Sequence, residues 1–312
     1  MRRLMRFLGS GIAALGVTAL LSGCDHLLLL NPKGPIGAEE RFVLIAAVVL
    51  MLIVVIPVAI MNIWFPWRYR ASRSGAAYSP KWATSLKLEV VVWLVPALIV
   101  TALSILVWDT THRLDPYKPI DTGVKPVRIE AVSLDWKWLF IYPDFNIAAV
   151  NKLVFPAKVP LSFRLTSASV MTSFFIPQLG SQIYAMGGMQ TQLNLLADEP
   201  GTYAGQNQQY SGEGYAGMNF KAIATSREAF EDWIAQARQS PETLDLARYE
   251  QLEAPSENAP VMLFSGVQPG LFDTVLVKYG MSMQTQPAVM NSRSHDMESH
   301  GMQMKPNTSE KN

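Results

Sequence analysis

The 312-residue chain carries a formal net charge of +1, and 49% of its residues are hydrophobic against 16% charged. Bulk charge this close to neutral excludes an electrostatically driven nucleic-acid partner. The mean hydropathy of +0.15 is high for a protein that lives wholly in water, and the excess sits in three apolar runs near the N-terminus, a membrane signature.

The first run reads as a targeting segment. Arg2, Arg3 and Arg6 form a basic stretch, Phe7 to Leu21 form an apolar one, and Leu21-Ser22-Gly23-Cys24 closes it as a lipobox. Small residues before the thiol admit a lipoprotein signal peptidase, and the thiol of Cys24 accepts the lipid. Residues 1–23 are therefore expected to be a lipoprotein signal peptide, Cys24 the lipid attachment site, and 24–41 a periplasmic segment. Asp25 follows, the residue read in enteric lipoproteins as a signal to stay in the inner membrane.

Phe42–Phe65 and Val90–Trp108 contain no charged residue, and each is long enough to cross a hydrocarbon core. Pro57 and Pro96 fall inside them, which membrane helices tolerate. The spacing predicts transmembrane helices over 42–65 and 89–109, joined by a loop over 66–88. That loop carries Arg68, Arg70, Arg73, Lys81 and Lys87 and no acidic residue, so the positive-inside rule makes it cytoplasmic. An exported Cys24 independently puts the N-terminus outside. The expectation is a multi-pass lipoprotein of a bacterial inner membrane with both termini periplasmic.

From about Val124 to Thr225 the pattern turns strand-like. β-rich runs at Val127–Leu134, Trp136–Tyr142, Leu161–Thr166, Gln190–Leu196 and Met218–Ala224 are separated by Pro- and Gly-containing turns. Strands at this spacing point to a Greek-key sandwich over 124–225. A helical extension follows over 226–280. Thr225-x-x-Glu228 has the form of a capping box, Phe230, Trp233, Ile234 and Ala237 recur at helical spacing, and Leu271–Tyr279 suits a further short helix. The tail over 281–312 mixes methionines with His295 and His300. Such clusters bind copper in some settings, but the polar composition points to a disordered tail over 281–312.

The chemistry-bearing feature is the stretch Pro200 to Phe220. It keeps the frame of a binuclear copper loop, in which two thiolates separated by three residues bridge the metals, an imidazole follows, and then a thioether. The thiolate positions hold Asn207 and Ser211, the imidazole position holds Tyr215, and Met218 alone keeps its type. Upstream, Ser169-Val-Met-Thr-Ser-Phe-Phe-Ile-Pro177 matches the strand that supplies the other imidazole, with Thr172 in the histidine's place. All four His lie outside residues 120–290, and the single Cys is Cys24. An amide, hydroxyls and a phenol do not hold copper in this role. Just upstream, Trp136-Lys137-Trp138-Leu139-Phe140 is an aromatic cluster that suits either packing or an electron-donor face.

Taken in order, the lipobox, the two-span hairpin, Trp136-Lys-Trp138, Val170 to Pro177 and the loop Gly201 to Met218 resemble subunit II of the haem–copper respiratory oxidases, and within them the subunit II of cytochrome bo-type ubiquinol oxidases. The resemblance implies a transmembrane hairpin with an all-β cupredoxin-like domain lacking copper ligands. It implies a non-redox subunit of a proton-pumping ubiquinol oxidase, an enzyme complex in which haems and copper belong to subunit I and this chain binds no cofactor of its own. Implied partners are subunit I, smaller membrane subunits, and ubiquinol and lipids through the complex, but not cytochrome c. The departures at Thr172, Asn207, Gln209, Ser211 and Tyr215 set the chain apart from copper-containing cytochrome c oxidase subunit II, which stands as one alternative. A lipid-anchored periplasmic binding or scaffold module is the other. Glu89, in Leu88-Glu89-Val-Val-Val-Trp93-Leu-Val-Pro96, matches the family pattern for a carboxylate at the mouth of a proton-uptake path into subunit I. A boundary charge that ends the helix would look the same.

Overall fold

The computed structural model describes residues 28–70 and 85–285, with side chains to 280. The signal segment, Cys24, Arg73 and Lys81 of the connecting loop, and the tail with His295 and His300 lie outside the described residues. Two helices, α1 (Pro35–Arg68) and α2 (Leu86–Arg113), are both long and apolar enough to cross a membrane. They leave Leu, Ile, Val and Trp side chains exposed along their length, and the buried positions are Gly37 in α1 and Thr110 in α2. An apolar helix with no protein around it is a helix solvated by lipid or by another subunit. The two are tied at one end by Arg113, whose guanidinium reaches Glu39 at 3.2 Å and Asp109 at 2.9 Å.

Among the described residues, eleven strands follow. β1 (Val127–Leu134), β2 (Lys137–Tyr142), β3 (Ile147–Val150), β5 (Leu161–Ser167), β8 (Thr191–Leu195) and β11 (Met262–Phe264) form one sheet in the order β11-β3-β2-β1-β5-β8. β4 (Lys152–Pro156), β6 (Thr172–Ile176), β7 (Gly180–Ala185), β9 (Gly201–Gln206) and β10 (Asn219–Thr225) form the other in the order β4-β10-β9-β6-β7. Most neighbours are antiparallel, but β1 pairs with β5 and β4 with β10 in parallel, as strands must when the chain crosses between the layers of a sandwich. Between the sheets lie Trp138, Phe140, Phe155, Phe163, Phe174 and Phe220. Tyr142 joins them, its hydroxyl donating to the Val154 carbonyl and accepting from the Val154 amide, each at 2.9 Å.

The helical extension explains why β2 and β3 are buried at every position. α3 (Arg227–Arg238) adds Phe230, Trp233, Ile234 and Ala237 to the core between the sheets. α4 (Leu246–Glu253) and α5 (Leu271–Thr285) cover the outer face of the first sheet through Tyr249, Leu252, Leu271, Phe272 and Val275. That sheet is buried on both faces, so its strands lose the alternation that betrays a half-exposed strand.

Some sequence expectations shift. The cap of α3 is Ser226, not Thr225: the Ser226 hydroxyl accepts from the Ala229 amide at 3.2 Å, while the Thr225 side chain turns back to the Phe155 carbonyl at 3.4 Å. The cap moves by one residue because Thr225 still belongs to β10, which leaves Ala229 rather than Glu228 at the third helical position, so no capping box forms. α4 is an additional helix, and α5 runs on to Thr285, past the expected boundary at 280.

The hairpin and the sandwich meet at a close junction. The Lys33 amide donates to the Gln178 carbonyl at 2.6 Å, the Gly37 amide to Leu179 at 3.2 Å, and the Asp198 amide to Lys33 at 2.8 Å. Gly34 is required here, since a Cβ would lie 2.1 Å from the Leu196 carbonyl oxygen. The Glu40 carboxylate accepts from the Ser181 hydroxyl. The first turns of α1 thereby cover β7, the edge strand of its sheet, which would otherwise present unpaired backbone groups.

Candidate functional site

The loop between β9 and β10 is organised around one amide, that of Asn207. β6 and β9 run side by side, so Asn207, the first residue after β9, faces Ser173. Its Oδ1 accepts from the Ser173 amide at 2.8 Å and from the Gln209 amide at 3.0 Å, and the Ser173 hydroxyl approaches at 3.4 Å. Its Nδ2 donates to the Gln209 carbonyl at 2.8 Å, to Ser211 Oγ at 3.1 Å and to Met218 Sδ at 3.4 Å. The backbone amide of Asn207 closes the loop on the Met218 carbonyl at 3.2 Å. The side chain is 5% exposed, and both ends of its amide are engaged, as burial of a polar group requires. The Asn207–Gln209 contact is an Asx turn.

The other positions surround this hub. Thr172 is buried and donates to Ser133 Oγ at 2.7 Å, and Ser173 Oγ accepts from the Gln208 amide at 2.7 Å. Gln209 takes part through its backbone. Tyr215 does not reach the hub. It is half-buried on a 3-10 turn, Glu213–Gly217, with its ring 5.8 Å from that of the exposed Tyr210. The structure therefore brings Asn207, Gln209, Ser211 and Met218 into direct contact, places Thr172 one residue from the shell, and leaves Tyr215 at the rim. The donors that remain are an amide already fully bonded, hydroxyls, a phenol and one thioether. They do not fit a two-copper centre, which needs thiolates and imidazoles. Among the described residues no group of three or more His, Cys, Asp or Glu is placed to hold a metal.

The aromatic cluster divides into two roles. Trp138 is fully buried, with its ring 5.2 Å from Phe174 and 5.9 Å from Phe220. Trp136 sits at the surface in a left-handed conformation (φ 65°) and donates from Nε1 to the Ser211 carbonyl at 3.0 Å. Its ring lies on the loop, where a Cβ on Gly214 would come within 2.3 Å of it. Lys137 between them turns inward. It is 2% exposed and donates to the Ala254 carbonyl at 2.8 Å and to Ser256 Oγ at 2.6 Å. Burial holds its pKa below the usual lysine value, with Asp135 opposing. Sequence reasoning missed Ser173, Ser133 and Lys137 as parts of this region. The Asx signal at Asn207 was the one local cue to the hub.

Glu89 lies in the first turn of α2, exposed, at the opposite end of that helix from its junction with the sandwich, and the loop does not approach it.

Two family models match the chain: "Cytochrome C oxidase subunit II, periplasmic domain" over residues 145–224 and "COX Aromatic Rich Motif" over residues 238–283. The first covers most of the sandwich and the loop. The second covers α4, β11 and most of α5. Among curated relatives, cytochrome bo(3) ubiquinol oxidase subunit 2 of Pseudomonas aeruginosa is 54% identical over 85% of this chain and 80% of its own length. The protein of the same name from Pseudomonas putida is 52% identical over 89% and 88%. Ubiquinol oxidase subunit 2 of Acetobacter aceti is 48% identical over 87% and 89%.

Proposed function

This chain belongs to the family of ubiquinol oxidase subunit 2, and from that premise we propose that it is the non-redox subunit II of a proton-pumping terminal ubiquinol oxidase, bracing subunit I from the outer face of the membrane. The observation that carries the reading is the Asn207 hub. The loop keeps the sequence spacing of a copper loop, and its middle is filled by an amide whose hydrogen bonds are all internal. Such a loop offers no redox group to an external donor. A lipid-soluble donor, ubiquinol, needs none there, because it delivers electrons within the membrane to centres carried by subunit I.

The bracing role is supported by the junction of α1 with β7. Backbone bonds from Lys33 and Gly37, with the Glu40–Ser181 contact, make hairpin and sandwich one body, so a subunit gripping the exposed apolar faces of α1 and α2 would carry the sandwich in a fixed pose. Smaller membrane subunits, ubiquinol and lipids would be met through the same complex. Glu89 is proposed as the cytoplasmic entrance of a proton path continuing into subunit I, since an exposed carboxylate at the membrane edge collects protons and an ionisable group there faces water or protein. Cys24 is proposed to carry the lipid.

Purification of the tagged chain from membranes in mild detergent tests the reading. The expected product is a multi-subunit complex with haem absorbance that oxidises ubiquinol with oxygen and ignores reduced cytochrome c. Recovery of the chain without haem would favour the scaffold module. Oxidation of cytochrome c with thiolate–copper absorbance would favour the copper-containing subunit.

A further inference from the structure

Three methionines of the sandwich gather at one exposed corner. In the antiparallel ladder of β6 and β7, Thr172 pairs with Ala185 and Ser173 with Tyr184. Met171 and Met186 are the residues that directly flank the Thr172–Ala185 pair, where the two strands end. Met189 is held to Met186 by a turn, its amide donating to the Met186 carbonyl at 3.3 Å. The corner is stiffly built. The Met186 carbonyl also accepts from the Ser167 amide at 3.3 Å and from the Thr166 hydroxyl at 3.2 Å. Ser167 Oγ donates to the Val170 carbonyl at 2.8 Å and accepts from the Ser169 amide at 3.1 Å.

Unlike the core methionine Met218, which is 1% exposed, Met171 and Met189 are 40% and 53% exposed, and Met186 is half-buried. Their thioethers are therefore not spent on filling the interior. α5 arrives at the same corner: Gly188 (φ 70°) lies against Gly280, so close that a Cβ on Gly188 would meet the Gly280 Cα at 2.4 Å. The residues that follow Gly280 in the helix include Met281 and Met283.

We propose that Met171, Met186 and Met189 form a surface site for cuprous ion, a trigonal set of thioether sulfurs outside the loop of the vestigial copper frame. Thioether sulfur is soft and carries no proton to lose, so it selects Cu(I) over the hard divalent ions and over zinc at neutral pH. Three sulfurs from two adjacent loops suit the low coordination number of Cu(I), and the hydrogen bonds at Ser167 and Met186 hold those loops without using the sulfurs. The site does not depend on the assignment of the chain to a quinol oxidase.

The test uses the intact complex in detergent, under argon, with Cu(I) supplied as its acetonitrile complex and competed against a chromophoric cuprous chelator. Three variants accompany the wild type: Met189→Leu, the combined Met171→Leu and Met189→Leu, and a chain ended after Thr285. Leucine keeps the volume and removes the sulfur, and Met189 is exposed enough that its replacement leaves the fold intact. The wild type is expected to bind a single Cu(I) beyond its as-purified content, with a sulfur-only first shell in X-ray absorption. The chain ended after Thr285 should retain that copper, Met189→Leu should hold it more weakly, and the combined variant should lose it. Equal uptake by the combined variant, no uptake by the wild type, or loss on ending the chain at Thr285 would each overturn the proposal.

Discussion

Asn207→Ala removes the hub of the loop and leaves its neighbours in place. Two backbone donors lose their acceptor, the Ser173 amide at 2.8 Å and the Gln209 amide at 3.0 Å. Ser173 is fully buried and Gln209 is half-exposed, so water can replace the lost partner at Gln209 more readily than at Ser173. Each buried donor left without a partner costs about 1–3 kcal/mol, and the Gln209 carbonyl, Ser211 hydroxyl and Met218 sulfur lose a donor as well. The expected destabilisation is about 2–4 kcal/mol, allowing for partial rehydration of the outer groups. Asn207→Asp keeps the acceptor but turns a carboxylate oxygen toward the Gln209 carbonyl, so it should destabilise too, and more at neutral pH than in acid. Tyr210→Ala, on the same loop but 72% exposed, is the control and should fall within about 0.5 kcal/mol of wild type. Urea unfolding of the full chain in detergent, followed by the fluorescence of Trp136 and Trp138, reads all three. A loss at Asn207→Ala no larger than at Tyr210→Ala would show that the amide fills space without organising the loop.

Four further outcomes follow from the same geometry and the proposed roles. Replacing Thr172 and Tyr215 with His, Asn207 and Ser211 with Cys, and Gln209 with Glu should yield a purple thiolate–copper chromophore on reconstitution, because Met218 and the spacing of the ligand positions are present; a folded but colourless variant would mean that the rim at Tyr215 lies too far out. Burial raises the pKa of Tyr142 and Tyr249 above the ordinary tyrosine value. Unfolded tyrosines ionise near pH 10 while these stay protonated, so native stability is intact below about pH 10 and falls as pH rises above it; thermal melts between pH 8 and 12 should show that limb, shallower in Tyr142→Phe, and a flat profile would contradict it. Glu89→Gln should lower steady-state ubiquinol oxidation with haem content unchanged, and Glu89→Asp should retain much of it; wild-type turnover in Glu89→Gln reduces the residue to a boundary charge. Mass spectrometry of the mature N-terminus should find a lipid-modified Cys24, and Cys24→Ala should still assemble, since two apolar helices hold the chain in the bilayer far more firmly than acyl methylenes at about 0.8 kcal/mol each; an intact Met1 refutes the processing.

What the sequence disclosed depended on how local the determining force was. β1 is found at Val127–Leu134, the run chosen from its composition, and the stripe Phe230, Trp233, Ile234 and Ala237 is the buried face of α3, because periodicity reports burial directly. β3, Ile147–Val150, is buried throughout and offers no alternation, so it hid in the turn region after Tyr142. β7 and β9 are rich in Gly, Ser, Thr and Gln; their strand state comes from the neighbours they pair with rather than from propensity. α4 opens on Asp245, whose carboxylate accepts from the Arg248 amide at 2.8 Å. That cap was readable in principle, but the helix is too short for periodicity to stand out. The spacing singled out Asn207, Gln209, Ser211 and Met218, which the structure brings into contact, but it did not disclose the partner of Asn207 on β6. Ser173 is distant in sequence, and only the adjacency of β6 and β9 brings its amide to the hub.

If the loop derives from a copper loop, as its spacing suggests under the proposed function, the hub supplies what the metal would have supplied. Coordination would tie several side chains to a common centre, pinning the loop between β9 and β10 against β6. Deleting such ligands one by one would leave buried backbone donors facing an emptied space, each with a desolvation cost. A single Asn answers this, since its carbonyl and amino ends present acceptor and donor on opposite sides. Here Oδ1 serves β6 and the start of the loop, while Nδ2 serves the loop's middle and the retained Met218. Met218 is 1% exposed, and its sulfur accepts a weak hydrogen bond from Asn207 Nδ2 at 3.4 Å. Trp136 then closes the outside of the loop through the Ser211 carbonyl and the glycine at 214. The backbone groups that a metal centre would organise are here organised by one amide.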